Sequence, residues 1–272
     1  MTRPERKRLD AELVRRNLAR SRDHAARLIA AGRVTVGGTT ATKAATQVAT
    51  SAAVVVREDA DAAPEYVSRG GHKLAGALEA FTPLGLRVQG RRALDVGAST
   101  GGFTDVLLRA GAGHVVAVDV GYGQLAWSLQ SDARVTVKDR TNVRELTPDD
   151  LDGRLADLVV GDLSFIPLGL VLPALVRCSA PDADLVLMVK PQFEVGRERL
   201  GSGGVVRSTR LRAESVLGVA AQAASHGLGA LGVTASPLPG PKGNVEYFLW
   251  LRAGAPELAP ADVERAVAEG PK

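Results

Sequence analysis

The sequence predicts an α/β chain, a mostly parallel sheet with helices on both faces, preceded by a small basic α+β module. Three observations carry this. From Arg92 onward, short runs of Val, Leu and Ala alternate with helical stretches, and crossovers of that kind force neighbouring strands to run parallel. Charge is unevenly placed: Met1 to Arg33 holds ten Lys/Arg against four Asp/Glu, a local +6 in a chain whose net charge is +4. Between the two regions lies an acidic, Ala-rich stretch, Glu58 to Glu65, containing Pro64, which reads as a linker.

Composition bounds the rest. A chain of 272 residues has room for two domains with real cores. Hydrophobic residues at 45% and charged residues at 24% exclude a disordered or fibrous chain. With aromatics at only 4%, the core has to come from Ala, Val and Leu. A single cysteine, Cys178, excludes a disulfide framework and a cysteine-based zinc site, and we read it as a small core residue. His24, His72, His114 and His226 show no metal spacing. No run approaches the roughly 18 apolar residues of a membrane helix, and no apolar signal-peptide core follows the basic N-terminus. The expectation is a soluble cytoplasmic protein with no membrane partner and no metal.

Arg8 to Asn17 has helical spacing, with Leu9, Leu13 and Val14 on one side and arginines on the other. Ser21 reads as an N-cap with Asp23 in the first turn, and Gly32 as the stop after Leu28 and Ile29. Arg33 to Gly38 is a strand entering a hairpin turn, and Ala52 to Arg57 a second strand. We place the basic module at residues 1–63, a linker at 64–67 and the second domain at 68–272. Basic charge gathered at one end of the chain points to a polyanion partner, although a solvated helix face gives the same pattern.

In the second domain, residues 93–96 are a strand, 97–102 a glycine-rich loop, 103–110 a helix, and 114–118 a strand ending in Asp119. Further strands fit 158–160, 185–189 and 245–251. Ligands in such sheets bind beyond the carboxyl ends of the strands. The loop runs Asp95, Val96, Gly97, Ala98, Ser99, Thr100, Gly101, Gly102, Phe103. A nicotinamide fingerprint would be G-x-G-x-x-G, and this loop departs from it, which disfavours a dehydrogenase. Asp-x-Gly-x-x-x-Gly-Gly after the first strand is the pattern of S-adenosylmethionine-dependent methyltransferases. Asp119, 22 residues after Gly97, stands where an acid can take two ribose hydroxyls. A tight strand-to-helix turn explains one glycine, but three glycines and a placed acid poorly.

Four charged residues fall near predicted sheet edges. Lys73 lies just before the first strand, Asp162 ends the strand at 158–160, Lys190 ends the strand at 185–189, and Glu246 sits early in the last strand. A lysine closing a run as apolar as Leu-Val-Leu-Met-Val is expected to be exposed at the carboxyl edge, where the cofactor belongs. Taken singly, each has an ordinary surface or capping reading; together they read as a site.

Two resemblances sharpen this. Arg-Leu-Asp at 8–10, Ser21-Arg22 opening a helix and Gly32 to Gly38 resemble the RNA-binding domain named after ribosomal protein S-four. That implies Arg8, Arg20, Arg22 and Arg27 as RNA contacts, and we add Arg69. Lys73, Asp162, Lys190 and Glu246, in that order, resemble the catalytic tetrad of FtsJ-like ribose 2′-O-methyltransferases. Residues 67–74, 94–104, 119–125, 140–142, 190–196 and 237–240 look like the TlyA family of ribosomal RNA cytidine 2′-O-methyltransferases, some of them labelled haemolysins. The resemblance implies a Rossmann-like class I methyltransferase domain and S-adenosyl-L-methionine held by Asp95, Gly97, Ala98, Ser99, Thr100, Gly101, Gly102, Phe103, Asp119 and Asp139. It implies ribosomal RNA in ribosomal subunits as partner, with no oligomer required. The basic extension before Leu9 resembles the longer members that act on both the small (16S) and large (23S) subunit RNA.

Two positions depart from that family. Asp139 stands where Glu is expected, shortening the reach toward the adenine, and Glu65-Tyr66 replace a small residue and Trp. In the implied chemistry a ribose hydroxyl attacks a sulfonium methyl, so the enzyme chiefly aligns the reacting atoms and deals with a poorly acidic proton. Lys190 is the residue for that task, either as base or as a cation stabilising the alkoxide. Asp162 orients it, while Glu246 and Lys73 complete the charge network. Two other classes compete: a ribosome-assembly factor without important catalysis, against which an intact tetrad argues, and a membrane-lytic protein, for which neither a long apolar helix nor amphipathic barrel strands are found.

Overall fold

The structure, a computed structural model, describes residues 5–16, 18–19, 21–57 and 65–271, apart from the side chains of Arg197 and Ser202. Contacts divide the chain into two units, 1–64 and 65–272.

In the first unit β1 (Arg6–Arg8), α1 (Leu9–Arg15), α2 (Arg22–Ala30), β2 (Val34–Val36), β3 (Thr39–Thr40), β4 (Gln47–Ala49) and β5 (Val54–Val56) follow in order. The first helix is shorter than its spacing predicts, because Arg6–Arg8 pair antiparallel with β4. Arg8 is therefore extended and Leu9 begins the helix. The partner strand lies some forty residues downstream, which no local periodicity could reveal. Ser21 caps α2, its Oγ accepting from the His24 N–H at 3.1 Å. Strand β2 forms the hairpin with β3 and pairs with β5 on its other side. Leu9 and Leu13 of α1, Ala25, Leu28 and Ile29 of α2, and Val34 and Val48 from the strands close a small core.

The second unit adds α3 (Gly70–Phe81), β6 (Arg92–Val96), α4 (Gly102–Arg109), β7 (His114–Val118), α5 (Trp127–Gln130), β8 (Val135–Lys138), β9 (Ala156–Gly161), α6 (Leu172–Arg177), β10 (Ser179–Val189), α7 (Pro191–Glu194), α8 (Thr209–Ala224), β11 (Leu228–Ala235), β12 (Tyr247–Ala253) and α9 (Pro260–Glu269). Seven strands form one sheet in the order β11-β12-β10-β9-β6-β7-β8. Only β12 runs antiparallel to its neighbours. This is the predicted α/β architecture, with a Rossmann-like sheet and a small α+β module before it.

Successive residues point to opposite faces, and the two cores show it. Leu94, Val96, Val116 and Val118 pack with α6, α8 and α9, while Ala93, Val115 and Ala117 pack with α3 and α4. The chain leaves β6 outward through β7 and β8, then returns to the other side of β6 as β9. The β6/β9 boundary is thus the switch point where such sheets open a crevice at their carboxyl ends.

Two local expectations change. Lys73, expected just before the first strand, lies inside helix α3. Tyr66 and Val67, expected in the linker, pack on α4: the Val67 N–H donates to Asp105 Oδ2 at 2.9 Å and the Arg109 guanidinium lies 5.0 Å over the Tyr66 ring. Cys178 is buried in the core immediately after α6.

At the amino ends of the parallel strands, the buried Asp184 ties three strands together. It accepts from Trp250 Nε1 at 2.6 Å, from Arg91 at 2.6 Å and from Arg252 at 2.8 and 3.0 Å. Replacing it with Ala strands a buried indole N–H and two guanidinium groups, so Asp184→Ala is expected to cost about 3 kcal/mol. Urea unfolding checks this, through a lowered midpoint at unchanged slope.

Candidate functional site

Strand ends and one helix bring the four predicted charges together. The Lys73 ammonium on α3 sits 2.6 Å from Glu246 Oε2 and 3.9 Å from Asp162 Oδ2. Lys190, at the end of β10, places Nζ 2.5 Å from Asp162 Oδ1 and donates to Ser164 Oγ at 2.9 Å. Gln192 Nε2 donates to the other Glu246 oxygen at 3.3 Å. The result is a chain of alternating sign, Lys190–Asp162–Lys73–Glu246, with no net charge. The side chains of Lys73, Lys190 and Glu246 are 7%, 8% and 1% exposed, and that of Asp162 is 21% exposed. Burial of four charges is tolerable because each meets an opposite one.

Lys190 corrects the sequence reading. It was expected to be exposed at the carboxyl edge, but it is buried, since Asp162 holds its ammonium and Pro191 turns the chain into α7 directly after it. Glu246 precedes β12 rather than lying within it. Its backbone carbonyl accepts from the Ser236 N–H at 2.8 Å.

A cleft of about 490 Å³ opens at the switch point, walled by Gly97, Ser99, Asp119, Asn142, Asp162 and Phe165 among others. Gly97 is needed there twice over. Its φ is +82°, and a Cβ on it would lie 2.8 Å from the Asp162 carbonyl oxygen, so no other residue lets the β6 loop approach the end of β9 this closely. Asp119 is fixed at the cleft by two backbone donors, Ser99 N–H at 2.8 Å and Gly121 N–H at 2.7 Å. Ser99, Thr100, Gly102 and Phe103 continue into a smaller cleft of about 240 Å³ that also meets Lys73, Asp162 and Arg69. A third cavity, about 390 Å³, holds Lys190, Gln192, Phe193, Lys242 and Glu246, and shares Ser164 and Phe165 with the first.

Three residues expected at the cofactor line none of these cavities. Gly101 packs beside Leu125 and Leu129. Asp139 spends one carboxylate oxygen on the Gly123 N–H at 2.8 Å, while Thr141 and Asn142 after it reach the cleft. Asp95 is fully buried beneath the loop, with Oδ2 accepting from Thr104 Oγ1 at 2.6 Å and Oδ1 meeting no hydrogen-bond partner. Burial pushes its carboxyl up to about 7; the Thr104 hydrogen bond opposes the rise, and the charges of Asp162 and Asp119 add to it.

Sequence reasoning passed over Ser164, Phe165, Gln192 and Phe193 as functional groups. Phe165 was the most detectable, an aromatic three residues past a charged strand end. It is 90% exposed, adopts φ +65°, and lies 5.2 Å from the Phe193 ring.

In the first unit, Arg8 and Arg22 both bind the buried Asp10, at 2.8 and 3.0 Å, and the Arg8 hydrogen bond above all holds that carboxyl well below its usual range. Arg27 is exposed on α2. Arg20 lies outside the described residues. Arg69, in the second unit, donates to the Pro239 carbonyl at 2.7 Å. Among the described residues no three His, Cys, Asp or Glu side chains are placed to hold a metal ion, and no helix is long and apolar enough to cross a membrane.

Residues 66–253 match the family model of FtsJ-like methyltransferases, and residues 7–54 match the S4 domain. The chain is 59% identical over 271 residues to the Mycobacterium tuberculosis (strain ATCC 25618 / H37Rv) protein named 16S/23S rRNA (cytidine-2′-O)-methyltransferase TlyA, covering 98% of this chain and 99% of that one. It is 34% identical over 241 residues to Hemolysin A of Brachyspira hyodysenteriae, covering 89% and 98% of the two chains. A solved Streptococcus thermophilus protein, named as a candidate hemolysin, superposes with a TM-score of 0.73 at 36% identity, covering 98% and 96%.

The Asp95 environment sets a pH dependence. A carboxyl raised in the folded state stabilises the fold fully below its unfolded value near 4, and that stability is lost as pH rises through about 7. Asp95→Asn removes the titration, so its melting temperature is expected to gain on the native chain between pH 5 and pH 8. Thermal melts across that range check this.

Proposed function

Because the chain belongs to the FtsJ-like methyltransferase family, in its TlyA branch with an N-terminal S4 domain, we propose that it methylates the ribose 2′-oxygen of cytidine in 16S and 23S ribosomal RNA. The observation that carries the proposal is the buried Lys190–Asp162–Lys73–Glu246 chain, beside a glycine-walled cleft at the switch point of the sheet. S-adenosyl-L-methionine fits that cleft: Gly97 keeps its wall free of side chain, Asp119 offers a carboxylate at the strand end, and Ile166, Val143 and Val171 give an apolar wall suited to adenine. When bound, the cofactor supplies an electrophilic methyl group on a sulfonium centre.

The residues of the chain then align and relieve charge. The cavity holding Lys190 and Glu246 abuts the cofactor cleft along Ser164 and Phe165, a suitable place for a target ribose. Lys190 faces the 2′-hydroxyl there and handles its proton, while Asp162 holds the ammonium in place. Lys73, pinned by Glu246, keeps Asp162 from acting as a lone buried anion. Positioning on this scale accounts for most of the acceleration when the electrophile is already activated. The S4 module supplies docking, its arginines meeting phosphates of structured RNA, since a folded A-form groove hides most base identity.

Purified protein incubated with labelled S-adenosylmethionine and separate unmethylated ribosomal subunits is expected to label RNA in both. Lys190→Ala is expected to lose about 10³-fold or more in the single-turnover rate while binding cofactor within twofold of the native protein; retained transfer overturns the assignment. No label on either subunit, with ribosome binding intact, favours an assembly factor. Arg27→Ala is expected to weaken subunit binding and lower the slope of log affinity against log salt by roughly 1, the signature of one lost phosphate contact.

A further inference from the structure

Lys190 carries three hydrogen positions on Nζ, and one of them is directed by a hydrogen bond, donated to Ser164 Oγ at 2.9 Å. Asp162 Oδ1 lies 2.5 Å from the nitrogen as its ion-pair partner but accepts no hydrogen bond. The Phe193 ring, its centroid 6.0 Å away, faces the ammonium without fixing its rotation. An ion-pair partner holds the charge without choosing a rotation about Cε–Nζ. A directed hydrogen bond does choose one, and the two remaining positions then follow from tetrahedral geometry.

Ser164 is placed to supply that directed bond. It follows Asp162 by two residues on the segment leaving β9, and it lies on the wall shared by the 490 Å³ and 390 Å³ cavities. A serine hydroxyl accepts through its oxygen while keeping its own O–H, so accepting from Lys190 does not exhaust it. Phe165, directly after it, adopts a left-handed backbone conformation with φ +65°. Strained geometry of this kind persists where the surroundings hold it in place.

We propose that Ser164 is a positioning residue for methyl transfer, its hydrogen bond fixing the rotation of the Lys190 ammonium so that one of the two remaining positions is aimed at the target 2′-oxygen. The aim serves both protonation states. In the charged lysine an N–H points at the oxygen; in the neutral lysine Ser164 retains its N–H, and the lone pair occupies the direction aimed at the oxygen. In the reaction the 2′-oxygen forms its bond to the methyl carbon as the carbon–sulfur bond breaks and sulfur keeps the electron pair. The hydroxyl proton leaves along the Lys190 direction, to the lone pair or past the ammonium to solvent. This inference rests on the methyltransferase reading above, and it assigns Ser164 a task that reading does not need.

The test compares the full-length native protein, Ser164→Ala and Ser164→Thr. Three measurements are made: single-turnover methylation of ribosomal subunits across pH, cofactor affinity by calorimetry, and the pH titration of the ¹³C-labelled lysine Cε resonance of Lys190, assigned with Lys190→Arg. Ser164→Ala is expected to slow the chemical step about 10-fold or more, with cofactor affinity within twofold. Losing an acceptor disfavours the charged ammonium, so both the rate profile and the Lys190 resonance are expected to titrate at lower pH. Ser164→Thr keeps a hydroxyl at the same atom and is expected to restore most of the rate and the native titration. An unchanged rate and titration in Ser164→Ala overturn the proposal, as does a rate loss matched by weakened cofactor binding with no displaced titration. A native protein that transfers no methyl group overturns the functional reading instead, and the resonance titration still decides whether Ser164 holds Lys190.

Discussion

Four charges buried within a few ångströms of one another can persist only as a set. Lys73 without Glu246 would be a cation held in a protein interior, and Asp162 without its two lysines would be an anion with the Asp95 carboxyl buried nearby. The 2.6 Å Lys73–Glu246 contact is therefore the constraint from which the rest of the site follows. It draws the first turn of α3 onto the segment entering β12, and Lys73 in turn leans toward Asp162 at the end of β9. Deleting one member of such an arrangement costs more than the pair itself contributed, because the partner stays behind without a counter-charge.

Much of this was legible from residue order. The alternating apolar runs gave the sheet, the Asp-x-Gly-x-x-x-Gly-Gly loop falls at the crevice, and the four charged residues singled out by order are ones the fold brings together. Its solvent environment was less readable. An apolar run ending in lysine looks like a chain emerging into water, and only the fold shows that Asp162, from the neighbouring strand, meets Lys190 before water does. Helix α3 was missed because Gly70, Gly71 and Gly76 weaken its local propensity, while its packing on α4 and the sheet forms the helix regardless. Asp95 and Asp139 were read as ligand contacts because they flank the right motifs. One turned out to lie under the loop and the other to brace a neighbouring turn. Motif spacing places a residue along the chain but does not say which way its side chain is spent.

The same distinction holds in the S4 module. Counting arginines suggested a strongly cationic face, yet Arg8 and Arg22 converge on Asp10, and Arg15 and Arg16 converge on Glu12. Two buried carboxylates, already counted in the local +6, thus fix the guanidinium geometry. A fixed guanidinium loses less conformational freedom on meeting an anion than a free one.

The reversed direction of β12 bears on how the protein is made. Glu246 can reach the carboxyl edge only because its strand runs against the other six, and β12 enters the sheet between β10 and β11 as one of the last elements synthesised. Lys73 emerges 173 residues before its partner. The counter-charge of Lys73 is therefore encoded close to the end of the chain, and the set of four balances only once β12 has its place between β10 and β11.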